Sequence, residues 1–360
     1  MLVLVGLLLF GIFGIAALSV DFGFVKLARV QMQNAADSAA VEGLRQDRAA
    51  ARDLVALTFD DDMNPANGDP RNNGAGPDVT VDGGLGGINA SASLTVGDPP
   101  VYKPSLQLNA ANQQNGDMVA GTYDPNQPPG EANDYTRADF APAAGPAANA
   151  FLVRLRRTRD AQGLDNVDGI SSAGRPLPLL FGHASLVGGA VRTDGFTTRA
   201  TAIAASQPAV RVGSAAATSF VLDRFFFETL VPGAAVAATV DAGGNIDTGA
   251  FVVGRFALPA TVIGASIATI LPPPGAVLTG YVPLFENFSG IDRVVGYGRA
   301  SILGGPVGPV SIVRLENQIA PANASAQPVD LPVLPPGELA QVLAANRSIA
   351  GGLQVPVLVR

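Results

Sequence analysis

Residues 1–20, MLVLVGLLLFGIFGIAALSV, carry no charged side chain. About twenty apolar residues rising 1.5 Å each match the roughly 30 Å hydrocarbon core of a bilayer. No other stretch constrains the chain so strongly, because such a segment needs lipid or closely packed sister helices around it. A cleaved secretory signal is the competing reading, but Ala16-Ala17-Leu18-Ser19 imitates a small-x-small cleavage site poorly. The following residues, Asp21 to Thr58, are helix formers without proline or a turn cluster. The pattern predicts one helix running from the membrane to about residue 58.

On that helix Val25, Ala28, Met32, Ala35, Ala36, Ala39 and Gly43 recur at spacings of three and four, placing small residues on one face. Two roles suit such a face: packing on the protein's own folded part, or packing on the helices of sister subunits. Lys26, Arg29, Gln33 and Asp37 recur on another face, and Glu42 with Arg45 forms an i,i+3 pair.

These residues resemble the N-terminal signature of the TadG-like and TadE-like proteins of Flp (Tad) pilus systems. That signature is an apolar helix with an aspartate and a glycine at its outer end, here Asp21 and Gly23. A Gln-Asn-Ala-Ala-Asp run and an alanine-rich stretch follow, here Met32, Gln33, Asn34, Ala35, Ala36, Asp37, Ala39, Ala40 and Gly43. The resemblance covers about residues 1–50 and implies a bitopic envelope protein. Its C-terminal part would be exported, and it would assemble, anchor or decorate a surface filament. Two positions depart from the pattern. No basic segment precedes the apolar span, which leaves a truncated start or a processed end as alternatives, and Val5 stands where type IV pilins have glutamate. Lys26 and Arg29 taken alone would put the wrong end in the cytoplasm by the positive-inside rule, so orientation rests on the resemblance.

After Thr58 the chain changes character. FDDDMNPANGDPRNNGAGPD is turn chemistry, and the 42 glycines and 28 prolines favour short strands joined by tight turns. Strand-like runs are Val79–Val81, Ile88–Val96, Phe151–Thr158, Phe196–Ala204, Phe251–Leu258, Thr261–Ile270, Arg293–Ile302 and Leu353–Val359, with Pro356 marking the last as an edge or bulged strand. Asp98–Asn149, Leu271–Gly275 and Ala320–Pro336 read as linkers or long loops, and Glu338–Arg347 as a short helix. The expected class is α+β: a long N-terminal transmembrane or filament-core helix, then a mainly antiparallel β domain of sandwich type. The expected divisions are an apolar segment (1–20), its helical continuation with the signature (21–58), a loop-rich β region (59–150), a β-rich exported domain (151–319), and a proline-rich linker, short helix and final strand (320–360).

Chemistry enters mainly through exclusions. The chain has no cysteine and one histidine, His183, so thiolate metal clusters and multi-histidine sites are impossible. Gly182-His183-Ala184-Ser185-Leu186 does not fit a nucleophile elbow, and Asn89-Ala90-Ser91-Ala92-Ser93 lacks the leading carboxylate of a von Willebrand A-type metal motif. The glycines at 83–87 and Gly296-Tyr297-Gly298 fit turns and bulges better than a nucleotide loop. Asp60, Asp62 and Asn64 offer hard oxygens as weak calcium candidates, although Pro65 occupies the place of the EF-hand glycine. Arg154, Arg156, Arg157 and Arg159 form the one basic cluster, read as a solvated or salt-bridged edge, and Phe220–Leu230 as a largely buried or partner-covered element. A net charge of −7 argues against nucleic acid.

The sequence therefore points to a non-enzymatic, membrane-anchored component of a Tad/Flp-type pilus or filament system, in a structural, anchoring or minor-pilin role, without cofactor, metal or small-molecule substrate. Its partners would be the membrane and either copies of itself or other pilus-system subunits. It would sit in the cytoplasmic membrane with its C-terminal domain exported, or in an extracellular filament. The alternative role is that of a principal subunit whose N-terminal helices form the fibre core.

Overall fold

A single helix of 44 residues, α1 (Leu2–Arg45), carries both the charge-free span and the small-residue stripe. At 1.5 Å per residue it is about 66 Å long. The structure, a computed structural model, describes residues 2–58, 108–128, 137–145, 148–157, 198–271, 278–305, 307–316, 324–327, 331–335 and 337–359. After α1 come α2 (Arg48–Thr58), β1 (Met118–Tyr123), β2 (Phe140–Pro142), β3 (Ala150–Arg157), β4 (Thr198–Pro208), β5 (Arg211–Val212), β6 (Phe220–Asp223) and α3 (Arg224–Thr229). The remaining elements are β7 (Ala235–Val240), β8 (Asn245–Asp247), β9 (Val252–Phe256), β10 (Leu278–Phe288), β11 (Ile291–Gly304), β12 (Gly308–Arg314), β13 (Ala324–Ser325), α4 (Glu338–Ser348) and β14 (Gln354–Val359). The chain divides into two units, Met1–Ala205 with Leu358–Arg360, and Ser206–Val357. The α+β class holds.

In the first unit the helix does not run unbroken to residue 58. It stops at Arg45, and α2 starts afresh with Asp47 Oδ1 accepting the Ala50 N–H at 2.8 Å. A carboxylate at that position satisfies an otherwise orphaned helix donor, which is why aspartate favours a cap over a helix interior. Only Gln46 and Asp47 separate the helices, and Ala51 and Val55 of α2 are buried in one cluster with Met32, Ala35, Ala36 and Ala39 of α1. The sheet runs in the order β14-β4-β3-β1-β2, and the β1–β2, β1–β3 and β3–β4 pairs are antiparallel. Period-two alternation divides its core: Phe151, Val153 and Leu155 join the helices, while Ala150 and Leu152 join Val119, Phe140 and Ile203 on the opposite face.

Residues 98–149, expected to be a loop, contain β1 and β2. β2 is only three residues long, β1 holds a glycine and two small residues in place of a clear apolar alternation, and asparagine side chains fasten the turns before them. Asn112, at φ 53°, donates from Nδ2 to the carbonyls of Ala120 and Ala143, each at 2.9 Å, and accepts the Ala120 N–H at 2.8 Å. The expected strands at 79–81 and 88–96, the calcium candidates Asp60, Asp62 and Asn64, and His183 with Ser185 lie outside the described residues.

In the second unit the strands close into a barrel instead of stacking as a sandwich, in the order β10-β11-β12-β7-β8-β9-β6. Every pairing is antiparallel except the closing one, where β6 runs parallel to β10 with Leu222 opposite Leu284. The register of β10 on β11 shifts between Leu284 and Phe285, an irregularity of the kind that bends a strand toward closure. Side chains fill the interior, among them Phe220, Leu222, Phe256, Val282, Ile302 and Ile312, with Phe227 of α3 and Ile349 beyond α4. Gly298 leaves room for Phe227, because a Cβ there would lie 2.3 Å from the ring. Thr261–Ile270 forms isolated bridges instead of the expected strand. Gly264 at φ 79° takes the backbone out of the extended region in mid-run.

Candidate membrane-anchoring site

The first half of α1 exposes its apolar side chains all round. Leu4, Val5, Leu8, Leu9, Phe10, Ile12, Phe13, Ile15, Leu18 and Val20 are each 46–73% exposed, so no face has been set aside for the chain's own core. The lone hydroxyl is satisfied internally: Ser19 Oγ donates to the Ile15 carbonyl at 2.8 Å. A helix whose polar groups are bonded within itself suits a solvent that offers no hydrogen bonds. Among the described residues α1 is the one helix long and apolar enough to cross a membrane.

Burial begins as the apolar run ends. Asp21 is 2% exposed, and Ala28, Met32, Ala35, Ala36 and Ala39 follow it into the interior along the predicted face. What covers the stripe is the chain itself. Ala51 and Val55 of α2, Phe151, Val153 and Leu155 of β3, and Ala200, Ala202 and Ala204 of β4 belong to the same cluster, in which α1 packs on α2 and β3. Gly43 completes the fit, since a Cβ there would stand 2.2 Å from Cε1 of Phe151. Phe151 is the partner that sequence reading missed, and its signal was the glycine itself, a small residue at the end of an alanine stripe.

The signature residues divide by role. Gln33 donates from Nε2 to Asp37 Oδ1 at 2.7 Å and to the Thr201 carbonyl at 3.0 Å, tying α1 to β4. Ala35 and Ala36 are buried, whereas Asn34 and Gly23 are exposed and a Cβ on Gly23 would meet nothing within 4 Å. Glu42 and Arg45 pair at 2.9 Å as expected. Arg48 of α2 donates to Asn112 Oδ1, and burial holds its guanidinium below the usual arginine range.

Two other expectations resolve differently. Arg154 is not on a solvated edge: it is buried, and its Nη1 donates to the carbonyls of Gln114 and Gly116 at 2.7 and 2.8 Å. It therefore holds the turn leading into β1. The aromatic run at 220–230 is a strand followed by a short helix, with Asp223 Oδ1 accepting the Phe226 N–H at 2.9 Å. Phe226 and Phe227 turn inward, and Phe225 stays outside beneath the Arg224 guanidinium, 5.2 Å from its ring centre. Among the described residues no group of three His, Asp or Glu side chains is placed to hold a metal ion.

Neither a curated protein nor a solved structure matches the chain. A family model does match, over residues 1–52, which takes in all of α1 and the first turn of α2. The anchor-like span, the signature and the buried stripe therefore all lie in a segment that matches the family described as "Putative Flp pilus-assembly TadE/G-like".

Proposed function

We propose that this chain is a bitopic, non-enzymatic component of a Tad/Flp-type pilus system. Residues 2–20 lie in the cytoplasmic membrane, the folded part stands outside it, and the role is structural or anchoring. The observation that carries the reading is the change of surroundings along α1 within the TadE/G-like segment. An apolar stretch exposed on every side leads directly into a face sealed by the chain's own sheet. Moving the span into lipid satisfies it at no cost to the fold, because it contributes nothing to the core.

The alternative, a principal filament subunit with N-terminal helices in the fibre core, draws support only from the exposed span. The small-residue face that would have extended such packing is already occupied by α2 and β3. The test is topology. A reporter fused after Arg360 that is active only outside the cytoplasm should give signal, and one active only in the cytoplasm should stay silent. The reverse pattern overturns the proposal, and regular fibres formed by the purified chain would favour the filament subunit.

A further inference from the structure

The outer end of the span carries a second feature. Phe22, Lys26 and Arg29 are four and three residues apart, so they share one face of α1, about a quarter-turn round the helix from the buried face marked by Asp21, Ala28 and Met32. All three are exposed, as are Leu27 and Val30 beside them. An aromatic and two aliphatic side chains interleaved with two cations make a poor water-facing surface. They are the composition of a segment lying at a membrane interface.

Depth agrees with composition. By helix rise, Lys26 and Arg29 stand about 9 and 14 Å beyond Val20, and the polar band outside the hydrocarbon is roughly 5–7 Å thick on each side. Long basic side chains reach back along the helix to bring their charge to that level. Lys26 and Arg29 are also the only basic residues before Arg45. Rotation is set too. With Asp21 at 2% and Ala28 at 1% exposure, the folded chain covers the neighbouring face from the first residue past the span, which fixes the side on which Lys26 and Arg29 stay exposed.

We propose that Lys26 and Arg29 bind the phosphates of anionic lipid headgroups in the leaflet next to the folded part, fixing the depth and rotation of the anchor. Two cations at this level thereby gain a role that the positive-inside rule does not give them. The inference rests on the membrane-anchor reading, and its test separates the two.

Because the chain has no cysteine, Val30→Cys gives a single labelling site in the full-length protein. The labelled protein is reconstituted in phosphatidylcholine vesicles with a minor fraction of phosphatidylglycerol, and its fluorescence is quenched by a headgroup-tagged form of one lipid or the other. Tagged phosphatidylglycerol should quench more, with the preference fading in high salt. K26Q/R29Q should lose the preference by about fivefold per residue removed, whereas K26R/R29K keeps it. Both variants should stay in the membrane on carbonate extraction and keep their circular dichroism. Equal quenching by the two lipids, or an unchanged preference in K26Q/R29Q, overturns the proposal. So do abundant disulfide dimers of the Val30→Cys protein in neutral vesicles, which assign the face to a second helix. Release of the unsubstituted protein by carbonate sinks the anchor reading as well.

Discussion

Within one continuous helix, residues 4–20 and residues 28–43 solve opposite problems. The first segment is large, apolar and exposed on all sides; the second is small, amphipathic and sealed on one side by α2 and β3, including the ring of Phe151. Burial in a membrane rewards bulk and hydrophobicity all round the helix. Packing against a sheet rewards small side chains on one face, because close approach brings more atoms into van der Waals contact. The family match spans both segments. The match therefore describes a junction between two surroundings rather than a span alone.

The contrast can be broken by substitutions whose effects should stay in one segment. The largest effect is expected from Ile12→Asp, since a carboxylate near the middle of a span costs about 2.5–3.5 kcal/mol of insertion. The membrane-bound fraction should collapse while the denaturant midpoint of the folded part stays unchanged. A shifted midpoint would show that the span belongs to the core. Next comes Ala39→Leu, which overpacks the buried face of α1 and should cost about 1–3 kcal/mol in unfolding. Membrane partitioning should not change, and an unaltered midpoint would return the stripe to packing between subunits. The smallest is Asp47→Ala, worth about 1 kcal/mol as a lost helix cap. Thermal unfolding should begin earlier with α1 unaffected, and an unchanged unfolding temperature would mean that α2 does not depend on this cap.

Much of the anchor was legible because its signals are local. Absence of charge marks a span, and spacings of three and four mark a face. The face's distant occupant was not legible, since Phe151, Val153 and Leu155 lie more than a hundred residues from the stripe and apolar side chains in a strand carry no address. Alternation revealed β3 and β14, and Pro356 correctly marked β14 as an edge strand. The break between Arg45 and Arg48 was missed because one capping carboxylate, Asp47, in a run of good helix formers leaves the average pattern intact. Barrel closure was missed for a different reason: the parallel contact of Leu222 with Leu284 depends on how distant strands meet, which no local run of residues encodes.

The sheet beneath α1 ends on β14, the last strand among the described residues, which stands beside β4. A polypeptide delivered from residue 1 onward therefore offers its helices and the strands through β4 long before their final neighbour arrives. Until then the open side of β4 presents unpaired backbone donors and acceptors, the kind of edge that recruits strands from other chains. Completion of this sheet thus waits on synthesis of residues 354–359. A chain cut short anywhere before residue 354 would leave an adhesive edge on the unit nearest the anchor, however well its other strands had folded.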